Sequence, residues 1–161
     1  MTDLPPEMSQ PLGPVIRVLA QYARDLSFEN PSAPDSLRAG LSTPAIDLGI
    51  DVNARASGDE GFEVDLKLSA KATRDGDTMF IAELVYAGLF QLDDIPAEQV
   101  EPVLLIDCPR LLFPFARRLL AEMIREGGFP PLLIDPVDFG QLYANQMAAR
   151  ENVPPAGTLP S

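Results

Sequence analysis

The sequence predicts an α+β domain: four antiparallel strands come first and helices follow. Three observations carry this. Apolar residues alternate at period two through the first half. Turn signals separate the alternating stretches. In the second half the apolar period becomes that of a helix.

The first strand is expected over 15–29, VIRVLAQYARDLSFE. Within it Asp25, Ser27 and Glu29 share a face, because side chains two apart point the same way. Asp25 and Glu29 lie ~13 Å apart at ~3.3 Å per residue, so they tolerate each other while presenting charge over a patch. The segment 30–44, NPSAPDSLRAGLSTP, has three prolines and is too long for a tight hairpin; it reads as a crossover. In the second strand Ile46, Leu48, Ile50, Val52 and Ala54 interleave with Asp47, Gly49, Asp51, Asn53 and Arg55. In the third, Phe62, Val64, Leu66, Leu68, Ala70 and Ala72 alternate with Glu63, Asp65, Lys67, Ser69, Lys71 and Thr73. Both read as half-buried strands. SGDEG (57–61) joins them as a hairpin, and RDGD (74–77) starts a second turn with the Asp-Gly pair that tight hairpins favour.

The fourth strand, 79–92, is apolar on both faces: Phe80, Ala82, Leu84, Tyr86, Gly88 and Phe90 on one, Ile81, Glu83, Val85, Ala87 and Leu89 on the other. Such a strand is either covered on both sides within the protomer or faces another subunit. One sheet with two or three helices covers a single face, which favours association. A short helix is expected over 97–106, with a boundary or kink at Asp107-Cys108-Pro109. Leu112, Ala116, Leu119, Leu120 and Met123 then recur at helical spacing to about Glu126, where Gly127-Gly128 stops the helix. Pro114 should bend it or mark its true start. A last helix is expected over 138–150, with Phe139, Leu142, Tyr143 and Met147 on one stripe.

Composition narrows the function. A length of 161 residues suits one domain, placed at 15–150, with proline-rich polar tails at 1–14 and 151–161. With 24 acids against 12 bases the formal net charge is −12, which disfavours nucleic acid and anionic lipid and favours a basic partner. No apolar run spans a bilayer, the N-terminus does not read as a signal peptide, and one cysteine cannot build a disulfide framework; a cytoplasmic location is expected. No histidine is present, so imidazole catalysis is out, and no P-loop motif is found. No cofactor or metal is expected. Asp47, Asp51 and Asp65 are acids of the kind that hold a hard cation, but they alternate along exposed strand faces rather than converge in a loop. Cys108 reads as a small buried hydrophobe.

At 108–117 the chain reads C-P-R-L-L-F-P-F-A-R, which resembles the SecB helix signature C-P-x-x-L-F-P-[YF]-A-R. D-L-S-F-E-N-P-S-A-P (25–34) and G-F-P-P-L-L-I-D-P-V-D-F (128–139) are similar to two further family segments in the same order. The resemblance covers about 15–150. It implies a four-stranded antiparallel sheet followed by two principal helices, assembled as a dimer of dimers with helices between two outer eight-stranded sheets. It implies an ATP-independent chaperone, not an enzyme, that holds unfolded precursor proteins for export and delivers them to SecA. By the same resemblance Asp25, Glu29, Ile81 and Glu83 match SecA-contacting positions, where the residues alone suggest a solvated acidic surface. Ala82, Leu84 and Tyr86 match positions that support the tetramer, against plain packing within the protomer. Ile46, Leu48, Ile50, Leu142 and Tyr143, with Phe115 nearby, correspond to the client grooves, against a reading as core. Leu37 and Leu41 supply the crossover's apolar side chains. A related chaperone with a non-export client such as an antitoxin, a small-ligand carrier and a carboxylate-only enzyme are the rival readings.

Overall fold

The computed structural model describes residues 13–59 and 61–152. The sequence-expected tails at 1–14 and 151–161 lie almost wholly outside these residues. Four strands, β1 (Val15–Glu29), β2 (Ala45–Ser57), β3 (Gly61–Arg74) and β4 (Asp77–Asp93), form one antiparallel sheet in the order β1-β4-β3-β2. β2 and β3 pair as the expected hairpin. β3 and β4 are joined by Asp75-Gly76, both at positive φ (50° and 85°), the conformation that a type I′ turn asks of Asp-Gly.

The crossover carries the chain from one sheet edge to the other and contains a single 3₁₀ turn, Asp35–Leu37. Its polar side chains tie it down. Asn30 donates to the Gly127 carbonyl at 3.0 Å, Ser32 to the Thr78 carbonyl at 3.0 Å, and Ser36 to the Asn30 side chain at 2.9 Å. Ser36 is the one polar residue buried among the described residues, and these bonds satisfy it.

The helical half departs from expectation at one place. Helix α1 (Ala97–Pro102) does not end before Cys108. It runs through a π-helical turn, Val103–Asp107, into α2 (Cys108–Glu126). Pro109 removes the donor that Leu105 would meet four residues on, and the backbone takes the wider π spacing there rather than break. Pro114 likewise sits inside α2 without ending it. Helix α3 (Phe139–Glu151) is capped by Asp138, whose carboxylate accepts from Gln141 N at 3.0 Å.

The core lies between one face of β3–β4 and a stripe of α2. Val64, Leu66, Leu68, Ala70 and Ala72 meet Leu112, Ala116, Leu120 and Ile124, which recur at helical spacing. Gly88 is required by this packing: a Cβ there would come within 2.5 Å of the Phe90 ring and 3.0 Å of Leu112. The helices leave the β1 edge of the sheet uncovered on that same side, where Val18 and Leu26 are exposed.

Candidate functional site

The sheet has two chemically distinct faces, and strand register decides which residue stands on which. On the outer face, away from the helices, Glu29 pairs with Ile81, Ser27 with Glu83 and Asp25 with Val85. Directly opposed residues of antiparallel strands share a face. Asp25, Glu29, Ile81 and Glu83 are therefore brought together on one surface. Asp25, Glu29 and Glu83 are exposed and enter no ion pair, while Ile81 is half-buried between them. Cross-strand serines, Ser27 and Ser69, flank Glu83.

Further along the same face the charges are paired. Arg24 and Arg55 both bind Glu63 and Asp65, with Arg24 to Asp65 at 3.3 Å and Arg55 to Asp65 at 3.0 Å. Tyr22 adds its hydroxyl to Glu63 at 2.8 Å. Asp65 is thus held by two guanidiniums, while Asp51 accepts from its neighbour Val52 N. Sequence alternation placed these acids on an outer face but did not reveal their partners, since Arg24 is remote in the chain.

The inner face holds an apolar hollow at the open end of the helix layer. Its volume is about 330 Å³, and Leu41, Pro44, Ile46, Phe80, Phe129 and Leu132 line it. Arg74 closes one side by donating to the Ser42 carbonyl of the crossover. Ile46 stands in this wall; Leu48 and Ile50 continue the same face of β2, the first exposed and the second half-buried. Leu142 and Tyr143 are half-buried against the core from α3 and do not line the hollow. Phe129 and Leu132 were missed as site residues, although the run G-F-P-P-L-L carried a signal: prolines deny the segment a helix and leave its apolar side chains in a loop.

Phe115 is not brought to that hollow. It projects from the other flank of α2, half-exposed, its ring stacked 6.3 Å from Tyr86. Tyr86 is nearly buried and its hydroxyl reaches Gln21 at 3.4 Å. Ala82 and Leu84 are fully buried inside one protomer. Leu111 and Leu119, four residues either side of Phe115 on α2, are also exposed, as are the inner-face β1 residues Val18 and Leu26. Cys108 is buried in the core. Burial, and then the negative charge of Asp107, push its thiol up to about 12. No helix among the described residues is long and apolar enough to cross a membrane.

The family model described as preprotein translocase subunit SecB matches residues 9–150. The chain belongs to the SecB family. Relatives named protein-export protein SecB agree. That of Maricaulis maris is 56% identical over 158 residues, 96% of this chain and 92% of its own. That of Caulobacter vibrioides is 60% identical over 136 residues, 84% and 83% of the two chains. That of Hyphomonas neptunium is 62% identical over 135 residues, 83% and 79%. Among solved structures, a SecB-like chaperone of Mycobacterium tuberculosis in complex with an antitoxin peptide shares the fold, with a TM-score of 0.58 and 16% identity over 76% of this chain and 90% of its own. Membership in the SecB family makes this chain a chaperone of protein export.

Proposed function

We propose that this SecB-family chain holds unfolded precursor proteins without ATP and passes them to SecA, working as a dimer of dimers. Residues 15–150 act as the working unit, with 1–14 and 151–161 as tails. The reading rests on family membership together with one observation: the acidic and apolar surfaces lie on opposite faces of a single sheet. Clients are held on the inner side. Leu41, Ile46, Leu48 and Phe129 offer apolar contact without side-chain specificity, which suits extended chains that have not yet hidden their own apolar residues. Many such weak contacts along one client give useful dwell time. A client that folds hides its apolar segments and leaves.

SecA docks on the outer face through Asp25, Glu29 and Glu83, with Ile81 as the apolar centre. Exposed carboxylates steer and discriminate more than they bind, and salt screens them beyond a Debye length of ~8 Å. The test is titration calorimetry of SecA with wild type, Asp25→Lys and Glu83→Lys at low and high ionic strength. Both reversals should weaken SecA binding, and the wild-type affinity should itself fall with salt. Client holding and the assembly mass should stay as they were. An unchanged SecA affinity in both variants removes the patch from the model. A collapsed assembly instead means that this face is the subunit interface.

A further inference from the structure

The charges of the outer face are unevenly arranged: Asp25, Glu29 and Glu83 enter no ion pair among the described residues, Lys67 and Lys71 of β3 stand opposite Val85 and Ile81, and Arg24, Arg55, Glu63 and Asp65 are locked together. Arg24 is the residue next to Asp25, and chain geometry gives it this position. The β1–β4 register slips between Ala23 and Asp25, so Arg24 is the extra residue of a bulge. Tyr22 and Asp25, on either side of it, both pair toward the outer face, with Ala87 and Val85. Arg24 then reaches across β4 to acids on β3. Its guanidinium lies 5.8 Å from the Tyr22 ring, and Ala87 beneath is fully buried.

We propose that Glu63 and Asp65 are positioning residues for the docking patch: together with Arg55, which shares them, they hold Arg24 away from Asp25 and so keep the patch acidic toward a positively charged partner. The inference rests on the reading of Asp25, Glu29 and Glu83 as the SecA surface. The competition it describes is simple. An arginine freed beside Asp25 has two acids within reach of its own face, Asp25 and Glu83, and every one it neutralises is lost to the partner. Tied to Glu63 and Asp65, both of them shielded by the network, the same arginine has its charge matched where the partner does not dock. The quartet is neutral as a set, so it marks the edge of the patch without adding to its field.

A double-mutant cycle tests this, with purified SecA as the probe and calorimetry at low salt. Glu63→Gln with Asp65→Asn should weaken SecA binding by about two- to fivefold, an effect of the size that exposed charge pairs produce. In a background of Arg24→Gln with Arg55→Gln the same two changes should cost nothing, because no arginine remains to be freed. A loss of equal size in both backgrounds overturns the proposal, since the acids would then meet the partner directly or act by bulk charge. So does the absence of any loss in the wild-type background while Asp25→Lys still weakens binding. If Asp25→Lys is silent too, the patch reading itself has failed, and the proposal falls with it. Client holding and scattering mass should be unchanged throughout. Should the double variant not fold, Glu63→Gln and Asp65→Asn are compared singly in the two backgrounds, each with a smaller loss expected in the wild-type background because one of Arg24's two acids is gone, and none in the arginine-free one.

Discussion

Subunit association should depend on Phe115 far more than on the residues beneath it. Phe115 is 51% exposed on the flank of α2, whereas Leu84 is 0% exposed under that helix. An aromatic side chain has roughly 150–250 Å² to bury, so about 100 Å² of Phe115 is open in one protomer. At ~25 cal/mol per Å², covering it contributes about 2.5 kcal/mol. A twofold interface uses each patch twice, which makes about 5 kcal/mol. Phe115→Ser should therefore weaken association by about three to four orders of magnitude. The protomer also loses some packing on Tyr86, but remains within the ~5–15 kcal/mol stability of a domain. Leu84→Ala acts on the other term: it opens a core cavity at about 2–5 kcal/mol and touches no exposed surface. Multi-angle light scattering from micromolar to nanomolar concentration, paired with thermal melting, separates the two. Phe115→Ser should fall to smaller species, and Leu84→Ala should melt earlier at unchanged mass per particle. A Phe115→Ser protein that keeps the wild-type mass down to nanomolar concentration would show that this flank is not the interface.

Two further outcomes are expected. Cys108 should resist iodoacetamide at pH 8 in the folded protein and react once urea exposes it, because burial and Asp107 hold its thiol protonated. Its folded pKa of about 12 lies above the ordinary 9.0, so the stability it contributes is complete below pH 9 and is lost as pH rises from there to 12; alkaline melting curves should show that decline. For client holding, Ile46→Ser with Leu48→Ser should shorten the delay that the protein imposes on a slow-folding precursor, with melting little changed, since both side chains are exposed. A full-length delay in that variant would move the client surface elsewhere.

Much of the sheet was legible because β2 and β3 keep strict alternation over long stretches and the Asp-Gly turn sets off β4, apolar on both faces; one register slip, at Ala72/Thr73, interrupts the β3–β4 pairing. β1 was harder. Bulges at Leu19 and Arg24 shift its parity twice: Ile16 and Val18 face the helices, then Gln21 and Ala23, then Leu26 and Phe28. No single period runs through it, and the exposed apolar positions Val18 and Leu26 could not be read off. Asp25, Ser27 and Glu29 escaped this because all three follow the second bulge. The helix flanks were also opaque. Phe113 and Phe115 are two residues apart, hence about 200° apart around the axis. The first meets Phe139 of α3 and the second meets Tyr86. Sequence marks both as apolar; only the seat of α2 on the sheet says which flank each one serves.

On the proposed function, the division of the sheet into two chemistries lets one protomer serve two partners at once. Apolar holding weakens little with salt, whereas carboxylate docking is screened within about one Debye length. The two activities therefore respond to different variables, although they share strands. β4 shows how this is arranged at the level of single residues: Phe80 lines the hollow, and Ile81, next in the chain, points to the opposite face among the acids. In the proposed function, a client seated in the hollow and a partner seated over Ile81 and Glu83 are separated by one sheet thickness and do not compete for surface. Coupling between them needs a change in the sheet itself, such as a shift of β1 against β4. The bulges at Leu19 and Arg24 already interrupt that pairing, while β3–β4 is continuous along almost its whole length. β1 is thus the strand that carries the proposed docking acids Asp25 and Glu29 on its outer side and the exposed apolar residues Val18 and Leu26 on its inner side.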